Sequence, residues 1–215
     1  MIDCKNEQEW LAERKKYLTA SDAGLYCDIN PYQPNGPTYL YDIKTGNTEA
    51  ANISGKWVVK RGKAMEKHIR ALFMIDNPNF QLSYHEFGLY VSKDYPFMAA
   101  TLDGLLKDRN TGDIHVLEIK TATCQTLEEW KEWERGEIPQ HYIAQGMHQL
   151  ICVPVAKGVI FYAFVTNAFT GRQMMVRKEY FRDECGEDIE FVLVQAQNMH
   201  DMIERRQRPR IKLNI

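Results

Sequence analysis

The chain has no apolar run long enough to span a bilayer and no signal-peptide pattern, so a protein that neither crosses a membrane nor is secreted is expected. It has no Cys-x-x-Cys pair. Cys4, Cys27, Cys124, Cys152 and Cys185 are odd in number and scattered, which argues against a zinc centre, an iron–sulfur cluster or a redox couple and points to free thiols in a reducing cytoplasm. It also lacks an excess of positive charge. Lys and Arg number 27 against 29 Asp and Glu, a net charge of −2, so nucleic acid cannot be held by bulk attraction and any basic surface must be local. Repeats, low-complexity tracts and linkers are missing too, and Asn30 to Pro37 reads as a rigid loop rather than a boundary. What is present is 215 residues with 44% hydrophobic content, enough for one full core and too short for two, so residues 1–215 are read as a single domain.

Two runs rich in apolar and β-branched residues, Phe97 to Leu106 and Ile114 to Thr121, flank the turn-forming stretch Lys107 to Asp113, and this predicts an antiparallel pair. Asp103-Gly104 lies in the first run, and Glu118-Ile119-Lys120 follows in the second. Strand alternation sends Glu118 and Lys120 to one face and Leu117 and Ile119 to the other. Two acids on rigid strands suit a hard divalent cation with oxygen ligands. Such an ion acidifies a bound water, and a pair about 3.5–4 Å apart serves both attacking and leaving oxygens of a phosphodiester. Asp103 would share the metals, Glu118 and the Ile119 carbonyl would complete the shell, and Lys120 would favour deprotonated water and the negative transition state. The plainer alternative is a turn dipeptide followed by a solvated Glu-x-Lys pair.

Other segments bear on that choice. Val58 to Asn77 carries Met65, Ile69, Leu72 and Phe73 at one-sided helical spacing, with Glu66 at the edge of the stripe as a third acid or a plain rim glutamate. Pro139 to Val153 reads as a helix burying Ile143, Met147, Leu150 and Ile151. Tyr142, Gln145 and Gln149 recur on its other face. Gln145 would orient water or a phosphate oxygen, and Tyr142 offers a hydroxyl and a ring to a nucleotide. Trp10 to Leu18 is expected to form a short helix bearing Arg14, Lys15 and Lys16, and Ser21 to cap the next helix as a phosphate site that Arg14 approaches, unless it is an ordinary cap. Gly158 to Thr166 and Gln173 to Phe181 read as further strands, and Asp183 to Gln207 as a last helix. The expected class is α/β, a central mixed β-sheet flanked by helices. Basic candidates are Arg14 to Lys16, Lys56 to Lys67 and the run Arg205 to Lys212, the last read as a solvated end rather than a DNA clamp.

Taken in order, Trp10-x-x-x-Arg14, Leu18-Thr19-Ala20-Ser21-Asp22, Arg61-Gly62-Lys63-x-x-Glu66, Thr101-Leu102-Asp103-Gly104, Glu118-Ile119-Lys120 and Tyr142-x-x-Gln145 resemble the phage lambda exonuclease and YqaJ-like viral recombinase family of the PD-(D/E)XK nuclease superfamily. The resemblance runs from about Trp10 to Val153 and implies a restriction-endonuclease-like core. It implies that Glu66, Asp103, Glu118 and the Ile119 carbonyl hold two Mg²⁺ ions, with Mn²⁺ as a substitute, and that Lys120 and Gln145 complete the catalytic centre. Arg14, Thr19 and Ser21, with Thr101 nearby, would hold a 5′ phosphate. One known member of the family has Ser-Pro-Asp-Gly and Ser-Glu where this chain has Thr-Leu-Asp-Gly and Ser21-Asp22; a hydroxyl and an acid survive both changes.

The activity so implied is 5′→3′ digestion of one strand of linear duplex DNA, leaving 3′ overhangs for a single-strand annealing protein, in the cytoplasm of a bacterial host with a phage or prophage origin. A globule of this length has a radius of gyration of roughly 17 Å, too small to surround a duplex alone, and the resemblance implies a homotrimeric ring. Two rivals stand beside this reading: a related endonuclease of restriction or repair type, and a catalytically silent DNA-end or partner-binding module.

Overall fold

In the computed structural model, residues 1–210 are described. The elements follow in chain order as β1 (Ile2–Asp3), α1 (Glu7–Arg14), β2 (Leu18–Thr19), a 3-10 turn (Ala20–Asp22), α2 (Ala23–Tyr26), α3 (Gly36–Lys44), α4 (Trp57–Asp76), β3 (Phe80–Ser83), β4 (Gly88–Val91) and β5 (Met98–Ala100). The second half holds β6 (Gly104–Asp108), β7 (Ile114–Cys124), α5 (Leu127–Glu134), α6 (Gln140–Cys152), β8 (Ala156–Asn167), β9 (Gln173–Phe181) and α7 (Gly186–Glu204). The strands form two mixed sheets rather than one, a five-stranded sheet in the order β3-β6-β7-β8-β9 and a four-stranded sheet in the order β1-β4-β5-β2. Only β7–β8 in the first and β2–β5 in the second are parallel. The β7–β8 crossover runs through α5 and α6, as a parallel pair requires.

The five-stranded sheet is covered on both faces, and strand alternation decides what goes where. Leu117, Ile119, Ile160 and Tyr162 pack with Ile69 and Phe73 of α4. Val116, Val159, Phe161 and Ala163 face the larger core with Met147 and Leu150 of α6 and Val192, Ala196 and Met199 of α7. Helix α6 lies close on the sheet because residue 146 is glycine: a Cβ there would stand 2.8 Å from the Phe161 ring, which is fully buried and cannot yield. The hairpins turn on Gly112 (φ +78°) and Gly171 (φ +69°), both in the left-handed region glycine tolerates.

Several expectations need correction. The run Phe97 to Leu106 is not one strand. It ends as β5 in the small sheet, passes through Thr101-Leu102-Asp103, and begins again as β6 in the large one. Gly104 is no turn residue; a Cβ there would collide with Leu82 of β3. The first helix starts earlier than Trp10, where the Asn6 side chain accepts the Glu9 N–H at 2.9 Å, and stops at Arg14. Leu72 is exposed on α4. In the basic tail, Arg208 folds back to bind both carboxylate oxygens of Asp42 on α3, while Ile211 and Lys212 lie outside the described residues. All five cysteines are buried and free, and among the described residues no helix is long and apolar enough to cross a membrane.

Candidate active site

Strand β7 outruns its neighbour. Its pairing with β6 covers Ile114 to Leu117, whereas β8 follows it to Cys124. From Glu118 onward the β6-side edge of β7 is therefore free of a strand partner, and the chain meets it instead with the Asp103 carboxylate: Asp103 Oδ2 accepts the Ile119 N–H at 2.7 Å. In a strand the N–H and C=O of one residue point to the same edge, so the Ile119 carbonyl shares that edge with Asp103. A strand that ends short thus sets a carboxylate and a main-chain oxygen side by side.

Glu118 and Lys120 project from the other face of β7, toward α6. The Lys120 Nζ donates to Glu118 Oε1 at 2.5 Å and to Gln145 Oε1 at 2.9 Å, and lies 4.6 Å from the centre of the Tyr142 ring. The Gln145 Nε2 donates to Glu118 Oε1 at 2.6 Å. Glu118 Oε2 accepts from Gln149 Nε2 at 2.5 Å. Burial opposes the charge on Lys120, but Glu118 and Asp103 outweigh it and the pKa ends above the ordinary lysine value, so the ammonium persists. Asp103 is under the opposite pressure. Its desolvated setting first, then the charges of Glu118 and Glu66, push its carboxyl well above the usual carboxylate range, with Lys120 and the Ile119 N–H only partly offsetting them.

A cleft of about 540 Å³ runs past these groups. Glu66 of α4 lines it, but its carboxylate is paired with Arg70, whose Nε donates to the Asp103 carbonyl at 2.7 Å and whose guanidinium stacks on Tyr84 at 3.5 Å. Among the described residues, no three of the acids, histidines and cysteines are gathered closely enough to hold a metal as they stand. The donor chemistry nonetheless fits a hard cation: two neighbouring carboxylates whose mutual repulsion is only partly relieved, and a carbonyl on the same edge. Glu66 would join them on leaving Arg70.

The same cleft is lined by Trp10, Arg14, Thr19, Ser21 and Thr101. The i, i+4 spacing on α1 stacks the Arg14 guanidinium 4.5 Å from the Trp10 ring, and the Arg14 Nη2 donates to Ser21 Oγ at 2.8 Å. Ser21 Oγ is 3.0 Å from Thr19 Oγ1. Ser21 is not the helix cap. Thr19 precedes the turn, with its N–H donating to Asp22 Oδ2 at 2.9 Å, and Ser21 sits inside it with its hydroxyl free to face Arg14. Thr101 joins the cluster indirectly, its Oγ1 accepting the Trp10 Nε1–H at 3.0 Å. Lys63 and Lys67 also line the cleft, Lys63 paired with Glu7 at 2.6 Å, so its four cations stand among the acids Glu7, Glu66, Glu86, Asp103 and Glu118 rather than forming a basic patch.

Sequence reasoning assigns no role to Trp10, Arg70 or Tyr84 and puts Gln149 on the polar face of its helix. Gln149 is fully buried. From Gly146 to Cys152 the helix is enclosed on every side, so the polar stripe read from Tyr142 and Gln145 does not extend that far. The seven-residue spacing of Tyr142 and Gln149 gives no sign of this, since two helical turns put both on one side and predict one environment for them.

The YqaJ-like viral recombinase domain matches residues 9–173, a span that includes Arg14, Ser21, Asp103, Glu118 and Lys120. The protein YqaJ of Bacillus subtilis (strain 168), itself uncharacterized, is 27% identical over 180 residues, covering 83% of this chain and 51% of its own length; the chain thus spans about half the length of that curated relative. The crystal structure of LHK-Exo, an alkaline exonuclease from Laribacter hongkongensis, is similar with a TM-score of 0.64 and 22% identity over 94% of this chain and 96% of that one, as is the same protein in complex with dAMP. SSO0001 is similar at a TM-score of 0.50 and 12% identity, over 91% and 83% of the two chains. The structural likenesses establish a shared α/β architecture, and the sequence match extends across most of the chain: it belongs to the YqaJ-like viral recombinase family.

Proposed function

We propose that this chain is a divalent-metal-dependent exonuclease that digests one strand of linear duplex DNA in the 5′→3′ direction from 5′-phosphorylated ends, leaving 3′ overhangs for recombination by strand annealing. One observation carries the reading: a single cleft is lined both by Asp103 and Glu118, the latter bound to Lys120, and by Arg14 with the hydroxyls of Thr19 and Ser21. Family membership supports a nuclease acting in recombination, and the structural relatives include an exonuclease, one form of it in complex with dAMP.

Asp103, Glu118, the Ile119 carbonyl and a released Glu66 would hold one or two Mg²⁺ or Mn²⁺ ions, which when bound acidify water and neutralise charge on the phosphate. The protein's own groups do the rest. An ammonium has three N–H donors; Lys120 spends one on Glu118 and one on Gln145, leaving the third for the attacking water or a phosphate oxygen. Its charge favours the electron-rich transition state and the deprotonated form of that water. Gln145, accepting from Lys120 and donating to Glu118, keeps the two aligned. Arg14, Thr19 and Ser21 bind the terminal phosphate, Thr101 braces them through Trp10, and Tyr142 gives a nucleotide an aromatic surface. Direction follows, because only an end-phosphorylated strand fills the far pocket while its first linkage reaches Lys120.

The chain works as a ring of three subunits around the duplex in the cytoplasm of a bacterial host, handing its product to a single-strand annealing protein. Linear duplexes with and without a 5′ phosphate, incubated with Mg²⁺ or with chelator beside covalently closed circles, test the reading. Rapid loss of the phosphorylated strand alone, abolished by chelator and with circles intact, is expected. Cutting of circles would establish the endonuclease instead, and no metal-dependent release of nucleotides would leave a binding module.

A further inference from the structure

We propose that Gln149 is a positioning residue that locks the Glu118 carboxylate for cation binding; this rests on the metal-dependent reading above. Gln149 has no exposed surface, yet it is polar and its Oε1 has no hydrogen-bond partner. An unpaired buried acceptor destabilises a fold, and a methionine or leucine of similar size would avoid it. Packing therefore does not explain the residue. What the carboxamide does make is specific: its Nε2 donates to Glu118 Oε2 at 2.5 Å and reaches the Thr101 carbonyl at 3.4 Å.

Both oxygens of Glu118 are thereby held, Oε1 by Lys120 of β7 and Gln145 of α6, and Oε2 by Gln149 of α6. Lys120 and Gln145 are part-exposed and can re-pair when DNA arrives, whereas Gln149 is enclosed and keeps its donor in place. The amide orientation is fixed by charge, since the flipped form would set a carbonyl oxygen against a carboxylate oxygen. The second contact matters because Thr101 opens the Thr101-Leu102-Asp103 segment between β5 and β6. One side chain therefore ties Glu118 to the stretch of backbone that presents Asp103, and so sets the spacing of the two acids. His148, its neighbour on α6, grips the strand that leads into this stretch, β5, through the Ala99 carbonyl at 3.0 Å. Outer residues that hold metal-binding carboxylates in this way are worth about 10- to 100-fold in metal affinity.

The test titrates Mn²⁺ into the full chain without DNA, by calorimetry, for the wild type, Gln149→Met and Asp103→Asn, with the thermal midpoint of each measured in chelator. Binding by the wild type that is weakened about 10- to 100-fold in Gln149→Met, with the variant still folded at the titration temperature by its chelated midpoint, is the expected result. With DNA, the same variant loses turnover while its KM is unchanged. Unaltered Mn²⁺ affinity in a folded Gln149→Met overturns the proposal and makes the residue an ordinary part of the core. Mn²⁺ binding equal in wild type and Asp103→Asn would instead remove the metal-dependent reading itself.

Discussion

Asp103 stands in a place that costs the folded protein. Desolvation and the charges of Glu118 and Glu66 raise its carboxyl pKa, so at neutral pH the ionised form opposes folding. Asp103→Asn keeps an oxygen for the Ile119 N–H and removes the charge. The variant is expected to be more stable than the wild type by about 1–2 kcal/mol in chelator, measured by urea unfolding, and to have lost digestion altogether. Saturating Mg²⁺, at about 100 times its dissociation constant, should then stabilise the wild type by about 2.7 kcal/mol and the variant by almost nothing. At this scale the acids and the lysine were legible because Glu-x-Lys alternation on a strand fixes which residues share a face. Arg70 was not, because its pairing with Glu66 and its reach to the Asp103 carbonyl depend on how α4 lies across β6, a tertiary fact with no local pattern.

Helix α6 both covers the sheet and furnishes the centre, and its buried polar residues make it sensitive to acid. His148 accepts from or donates to Tyr26 Oη at 2.8 Å and holds the Ala99 carbonyl, with burial foremost in lowering its pKa to about 4. The folded state resists the proton that the unfolded chain takes up near pH 6.5, so the stability His148 contributes is complete above that pH and declines as pH falls toward 4, by about 3 kcal/mol in all. His141, also lowered to about 4 but part-exposed, adds a smaller term of the same sign. Asp103 titrates in the opposite sense, so the measurement belongs in the Asp103→Asn background: urea midpoints from pH 7 to pH 5 should fall, and fall less when His148 is replaced by glutamine. Elements with a strong period, namely α4, α6, α7 and the β8–β9 hairpin, could be read within a few residues. The β5–β6 break could not, since Leu102 keeps the run apolar by packing into the core while the chain changes sheets.

For the whole molecule, the class and the covered sheet followed from pattern, but the second sheet did not. It is built from strands of two to four residues, β1, β2, β4 and β5, too short to show alternation. Charge at this scale has a direct consequence. With a net charge of −2, DNA contact depends on the few cations of the cleft, Arg14, Lys63, Lys67 and Arg70. Affinity for duplex ends should fall with salt on a log–log slope of about −3 to −4, shallow for a DNA-binding protein, as read by fluorescence anisotropy in Ca²⁺. Light scattering at micromolar concentration should give three times the 25.1 kDa chain mass; a monomer would contradict the ring.

Anomalous diffraction from crystals soaked in Mn²⁺ reaches the centre of the account most directly. A strong peak between the carboxylates of Asp103 and Glu118, within bonding distance of the Ile119 carbonyl, with Glu66 turned away from Arg70, is the expected result. Saturated crystals with no manganese between those two side chains would contradict it.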